Sequence, residues 1–176
     1  MNTIGNHTGI EKVTYGVTDL DKAKAFWTDF GLAPVDTGNG YPAFATQNGA
    51  TVEIRRADDA GLAPPVGEDV DATVREAMFG VKSQDDLDAL EENLCADCDV
   101  RKDADGSIHT VDPVGFGLGF RVKQTTPVQA PELEINIPGR PRRVNRRAEQ
   151  VAKAAPFEIS HIVYMTDDLE THKKFY

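Results

Sequence analysis

The stretch Ile159–Tyr176, which reads ISHIVYMTDDLETHKKFY, repeats the stretch Ile10–Trp27, which reads IEKVTYGVTDLDKAKAFW. Six of the eighteen aligned positions are identical, whereas unrelated sequences would agree at about one. The identical pairs are Ile10/Ile159, Tyr15/Tyr164, Asp19/Asp168, Leu20/Leu169, Lys24/Lys173 and Phe26/Phe175. Such internal similarity indicates a structural unit that the chain begins more than once. The most consequential difference is at Lys12, which the later copy replaces with His161.

The earlier copy predicts a strand followed by a helix. Apolar and polar residues alternate over Ile10–Thr18, which is typical of a half-buried strand. Its apolar face, centred on Tyr15, is expected to pack on the helix, and Lys12 belongs to the opposite face. Thr18 is the predicted N-cap of the helix, and Gly31 is its predicted end.

Short strands and turn signals then complete two similar modules. In the first module, residues 10–56, the helix is followed by predicted strands at Ala33–Asp36, Tyr41–Thr46 and Thr51–Arg55, with glycine- and asparagine-containing turns between them. In the second module, residues 75–122, a strand at Arg75–Lys82 precedes a helix capped by Ser83, and strands follow at Val100–Asp103, Ser107–Val111 and Phe116–Val122. Both modules have the order βαβββ, which predicts an α+β fold.

The remainder of the chain has a different character. Residues 123–157 are rich in proline and arginine, which predicts a linker without much regular structure. The repeat then begins a third unit, which stops within its helix at Tyr176. We therefore expect residues 158–176 to be the truncated start of a second domain, and the chain to be a fragment of a longer protein.

Composition and charge limit the classes of function. The 176 residues are 40% hydrophobic and 27% charged, as in globular proteins, and contain no apolar run long enough for a membrane span. The net charge of −10 makes nucleic acid an unfavourable partner. No secretory signal precedes Gly9, and Cys95 and Cys98 are expected to be reduced thiols, so that a cytoplasmic location is expected.

Paired βαβββ modules whose helices begin near Asp-Leu, with an Asp-Pro-x-Gly turn before the last strand, resemble the vicinal oxygen chelate superfamily. That group includes glyoxalase I, bleomycin-resistance proteins and extradiol ring-cleavage dioxygenases. The resemblance covers Ile10–Val122 and resumes at Ile159, which is the layout of the two-domain extradiol dioxygenases. It implies a cup-shaped mixed sheet with helices outside, followed by the start of a second such domain.

The resemblance also implies where a metal ion would bind. In the dioxygenases, two histidines and one glutamate of the second domain hold Fe(II) or Mn(II), and His161 occupies the first of these positions. The corresponding positions of the first domain are Lys12, Glu76 and Gly119. A lysine ammonium has no lone pair and glycine has no side chain, so that we expect residues 10–122 to be metal-free. Glu53 is expected to face the same cup without completing a site.

The chemistry that the resemblance implies is cleavage of a catechol-type ring with O2 as co-substrate. A 2-His-1-carboxylate site leaves neighbouring metal positions open for the substrate and O2. The expected partners are a small aromatic diol and further copies of the same chain in a homo-oligomer, with neither nucleic acid nor membrane. The fragment alone, which has His161 as its one metal ligand, is expected to be inactive.

Two alternatives stay open at this stage. One is a glyoxalase-like isomerase, which would need metal ligands in the first domain. The other is a metal-free protein that binds a small organic molecule in its cup. The three other histidines, His7, His109 and His172, are interpreted as tail, strand and exposed helix residues without a functional role.

Overall fold

The computed structural model describes residues 7–67, 72–129, 134, 136–143, 145, 147 and 152–176. The first module consists of β1 (Ile10–Val17), α1 (Leu20–Phe30), β2 (Ala33–Val35), β3 (Ala43–Ala45) and β4 (Thr51–Arg56). The second module consists of β5 (Ala72–Val81), α2 (Gln84–Cys95), β6 (Arg101–Lys102), β7 (Ile108–Val111) and β8 (Gly117–Val122). The predicted order βαβββ is therefore confirmed in both modules.

The two modules contribute to one mixed sheet. Its eight strands lie in the order β2-β3-β4-β1-β5-β8-β7-β6, so that the two halves of the sheet mirror each other. At the centre β1 and β5 pair in antiparallel fashion. On their outer edges β1 pairs in parallel with β4, and β5 pairs in parallel with β8. This topology confirms the predicted α+β fold.

The helices α1 and α2 pack with the apolar face of the sheet and form two cores. In the first module the buried core consists of Leu32, Phe44, Val52 and Ile54, with Tyr15 and Trp27 packed against it. In the second module it consists of Val81, Leu87, Leu94, Ile108, Leu118 and Phe120. Burial of these side chains is the main driving force for the fold. Among the residues that the structure describes, no helix is long and apolar enough to cross a bilayer.

The helix starts confirm one predicted cap and correct another. Ser83 caps α2, as predicted, by accepting the backbone N–H of Asp86. The cap of α1 is Asp19 rather than Thr18, because the Asp19 carboxylate accepts the N–H of Lys22 at 3.0 Å, three residues on. Leu20 is the first helical residue, so that Asp19 is the side chain at capping distance.

After β8 the chain returns along the first module. A short hairpin forms from β9 (Asn136–Ile137) and β10 (Arg140–Pro141). Further on, the carbonyl groups of Pro156 and Phe157 accept backbone N–H groups from the turn between β3 and β4. Ile159 then packs against the core of the first module.

The last segment only partly follows the repeat. The repeat predicts a helix here, and α3 (Leu169–Phe175) confirms it. It begins after Asp168, whose carboxylate accepts the N–H of Thr171 at 3.1 Å. However, residues 159–166 do not form the predicted strand. A strand needs a neighbour for its backbone hydrogen bonds, and the described strands of the sheet, from β2 to β6, pair with one another and not with this segment.

The expectation that His172 is exposed was wrong, because α3 docks on the second module through this residue. His172 is 7% exposed, and its Nε2 lies 2.6 Å from Oδ2 of Asp112. The Tyr176 hydroxyl donates to the same oxygen at 3.2 Å. The other oxygen, Oδ1, accepts three backbone N–H groups from residues 114–116. Burial and the Asp112 charge raise the pKa of Tyr176.

We expect Asp112→Ala to destabilise the protein by about 3 kcal/mol or more, because it leaves buried donors without an acceptor. Asp85, exposed on α2, is the matched control, and Asp85→Ala should change the free energy of unfolding by less than about 1 kcal/mol. Urea unfolding of the wild type, Asp112→Ala and Asp85→Ala measures the difference in the free energy of unfolding. Equal effects of the two substitutions would contradict the role of Asp112.

Candidate functional site

The face of the sheet opposite α1 and α2 forms a cup with a cavity of about 330 Å³. The register of the strands shows which residues form the floor of this cup. Lys12 of β1 pairs with Met78 of β5, Met78 with Gly119 of β8, and Gly119 with His109 of β7. Because directly paired residues point to the same face, these four positions cross the cup in one row.

A bulge in β1 lies directly before Lys12. The register shifts between Ile10 and Lys12, so that Glu11 is an additional residue in this strand. Its carboxylate is fully buried and accepts N–H groups from Gln124 and Thr125 and the Thr125 hydroxyl. Arg121 of β8 also donates to it at 3.3 Å. The bulge therefore fixes both the segment after β8 and the position of Lys12.

In the first module a buried glutamate organises the cup wall. Glu53 of β4 faces the cup, as predicted, and is 1% exposed. Oε1 pairs with Arg55 at 2.6 Å, and Oε2 accepts from Asn39 at 2.7 Å. The guanidinium of Arg55 lies over the Tyr41 ring at 4.0 Å. Lys12 is 3.9 Å from Oε2, too far for a hydrogen bond.

In the second module Glu76 and His109 form a pair that sequence reasoning missed. His109 Nδ1 lies 2.8 Å from Glu76 Oε2, and its Nε2 lies 3.0 Å from the Ser107 hydroxyl and 3.3 Å from Asp103. Burial would raise the pKa of Glu76, but the hydrogen bond and charge of His109, with Lys12 and Arg101, lower it on balance. Alternation in β7 could have placed His109 on the cup face, but its partner depends on tertiary pairing.

The residues of this cup do not fit a metal ion. The positions compared with the metal ligands of the dioxygenases hold Lys12, Glu76 and Gly119, and Glu76 is already engaged by His109. A side chain at Gly119 would meet Met78 and Glu76. Within the described ranges, no group of three or more histidine, cysteine or acidic residues could hold a metal ion.

His161, the predicted metal ligand, lies far along the chain from these residues and outside the sheet. It is exposed, and its Nδ1 is 3.1 Å from the hydroxyl of its neighbour Ser160. Together with His172 and Tyr164 it lines a mostly apolar cavity of about 460 Å³. The structure thus brings Glu53, Glu76 and Lys12 to one cup and places His161 elsewhere.

The contact between Glu76 and His109 predicts a pH-dependent effect of Glu76→Gln. Because the folded protein lowers the pKa of Glu76 below its ordinary value of 4.5, the ionised side chain contributes stability above that pH. We expect the wild type to be more stable by about 1–2 kcal/mol at pH 7. The difference should shrink as the pH falls through the lowered pKa.

Urea midpoints between pH 7 and pH 3 measure this effect. Glu92→Gln, at an exposed position of α2, is the control and should show a small difference at every pH. A Glu76→Gln difference that stays constant down to pH 3 would contradict an ionic role for Glu76.

Comparison of sequences gives no relative for this protein. No protein-family model matches the sequence, and no curated protein matches it.

Comparison of folds does find similar solved structures. The Mn(II)-bound glyoxalase from Novosphingobium aromaticivorans is 26% identical, over 65% of this chain and 38% of that chain, with a TM-score of 0.51. An extradiol ring-cleaving dioxygenase from B. fuscum is 19% identical, over 70% and 34%, with a TM-score of 0.53. The 2,3-dioxygenase LapB from Pseudomonas sp. KL28 is 16% identical, over 69% and 42%, with a TM-score of 0.55.

The chain matches only 34% to 42% of the length of these three structures. Glyoxalases and extradiol dioxygenases nevertheless share its paired-module sheet. This chain therefore has the fold of the vicinal oxygen chelate superfamily.

Proposed function

We propose that this chain is the metal-free first domain, with the start of the second, of a two-domain extradiol dioxygenase that cleaves a catechol-type aromatic ring with O2. The observation that carries this proposal is the exchange at one repeated position. Lys12 stands in the first copy, where a metal ligand is excluded, and His161 stands in the second, where an imidazole could serve as one.

In this proposal the first cup contributes stability rather than chemistry. The Glu53 carboxylate pairs with Arg55, and the Glu76 carboxylate lies at hydrogen-bonding distance from Nδ1 of His109. Both glutamates are thus already satisfied by protein groups, as buried carboxylates require. The catalytic Fe(II) or Mn(II) would belong to the second domain, where His161 would be one ligand and the other ligands would come from residues outside this chain.

A second candidate is a glyoxalase-like isomerase. It is favoured by the Mn(II)-bound glyoxalase, which has 26% identity to this chain. It would require a metal ion in the cup, where Lys12 and Gly119 replace potential ligands.

Metal binding by the 176-residue chain separates the two candidates. If the first domain is metal-free, the chain should retain much less than one equivalent of Mn(II) or Fe(II) after dialysis, as measured by elemental analysis. Glu76→Gln should retain the same amount. One equivalent that is lost in Glu76→Gln would instead favour the isomerase.

The role of His161 can be tested in a longer protein that contains this chain and a complete second domain. His161→Ala should reduce bound iron and the rate of ring cleavage by at least about 100-fold, because a direct ligand matters more than an outer-shell partner. His7→Gln is the matched control and should change neither quantity more than about twofold. Activity and metal content that are unchanged in His161→Ala would refute the proposal.

A further inference from the structure

Two cationic side chains of the cup have donors without a hydrogen-bond acceptor among the residues that the structure describes. The nearest carboxylate oxygen to the Lys12 ammonium is 3.9 Å away, although 84% of this side chain is covered, its relative exposure being 16%. Nε of Arg121 is buried and has no hydrogen-bond partner in the part of the chain that the structure describes. Both residues line the same cavity. Because a largely covered donor usually has an acceptor at hydrogen-bonding distance, Lys12 points to an oxygen-bearing ligand, and Arg121 adds a second cation to the same cavity.

The surroundings make that ligand an anion. Each carboxylate at the cavity already has protein partners: Glu53 pairs with Arg55, and Glu76 Oε2 lies 2.8 Å from His109 Nδ1. Asp103 pairs with Arg101, and Asp105 accepts the backbone N–H and the hydroxyl of Ser107. Glu11, the partner of Arg121, also accepts two backbone N–H groups. Lys12 is therefore the cation whose charge is least compensated at hydrogen-bonding distance, and an incoming carboxylate would supply the missing acceptors.

The floor of the cup suggests the shape of the ligand. Between Lys12 and His109 the row across the sheet contains only Met78 and Gly119. The thioether of Met78 is apolar and adaptable, and its methyl group covers the position of Gly119, where a side chain would meet it. A flat ring can lie on such a floor. The Glu76 carboxylate, beside Gly119, can accept a hydrogen bond from a hydroxyl group of the ligand.

We propose that the cup of the first domain binds a small planar hydroxylated carboxylate, without a metal ion. The carboxylate lies between Lys12 and Arg121, the ring lies over Met78, and the hydroxyl group donates to Glu76. A cavity of about 330 Å³ is large enough for a single aromatic ring with two substituents. This site is distinct from the proposed ring-cleavage centre, which lies in another domain.

The three methionines of the chain allow a direct test by NMR. Protein labelled at the methionine methyl groups gives one signal each for Met1, Met78 and Met165. The signal that is missing in Met78→Leu is that of Met78. Titration with 4-hydroxybenzoate, in the presence of a chelator, should shift the Met78 signal. Met165 is 87% exposed and serves as the internal control, whose signal should stay in place. A ligand of about ten non-hydrogen atoms should bind with a Kd of about a millimolar or below.

Variants test the chemistry of the site. Lys12→Met keeps the length of the side chain but removes its charge, and should weaken binding at least about tenfold. Lys24→Met, on the outside of α1, should not change the Kd. Benzoate, which has no hydroxyl group, should bind more weakly than 4-hydroxybenzoate, and phenol, which has no carboxylate, should bind most weakly.

Three outcomes would overturn this proposal. The first is that the Met78 signal does not shift at about 10 mM 4-hydroxybenzoate, and the second is that the Met78 and Met165 signals shift equally. The third is that Lys12→Met leaves the Kd unchanged. In that case the variant must unfold at the same urea concentration as the wild type, which shows that it is folded. None of them would affect the ring-cleavage proposal, because the titration uses the 176-residue chain without metal.

Discussion

The antiparallel pairing of β1 with β5 is the interaction on which the rest of the structure depends. It joins the two modules into one sheet, and it sets the side chains of both modules face to face across the cup. A shift of one residue in this pairing would turn the side chains of one strand to the opposite face. The bulge at Glu11 absorbs an additional residue, and the buried contacts of Glu11 with Thr125 and Arg121 hold it in place.

That register brings several carboxylates into a confined space, where each needs a partner. Buried charges are costly unless they are paired and hydrogen-bonded. Arg55 satisfies Glu53, and His109 satisfies Glu76. Lys12 and Glu76, two of the three positions compared with metal ligands, thus lie among protein charges and hydrogen bonds. Lys12 remains less completely paired, its nearest carboxylate oxygen being 3.9 Å away, and the proposed binding of an organic anion rests on this.

Much of the fold could be predicted from the sequence because the signals are local. Alternation, turn residues and helix caps indicated both modules, and the repeat indicated a helix near the end of the chain, which is α3. The missing strand at 159–166 and the burial of His172 could not be predicted in this way, because they depend on which surface meets the segment. The Glu76–His109 pair likewise depends on strands that meet across 33 residues of sequence.

The two copies of the repeat show how far local sequence determines structure. Asp19 and Asp168 both cap a helix, because capping needs only the next three residues. The helices then differ in what they contact: α1 lies beside its own strand β1, whereas α3 lies on the second module, with His172 against Asp112. Identical apolar positions therefore acquire different surroundings. By the same reasoning, the chemical role of His161, which replaces Lys12 in the later copy, depends on the sheet that this copy joins.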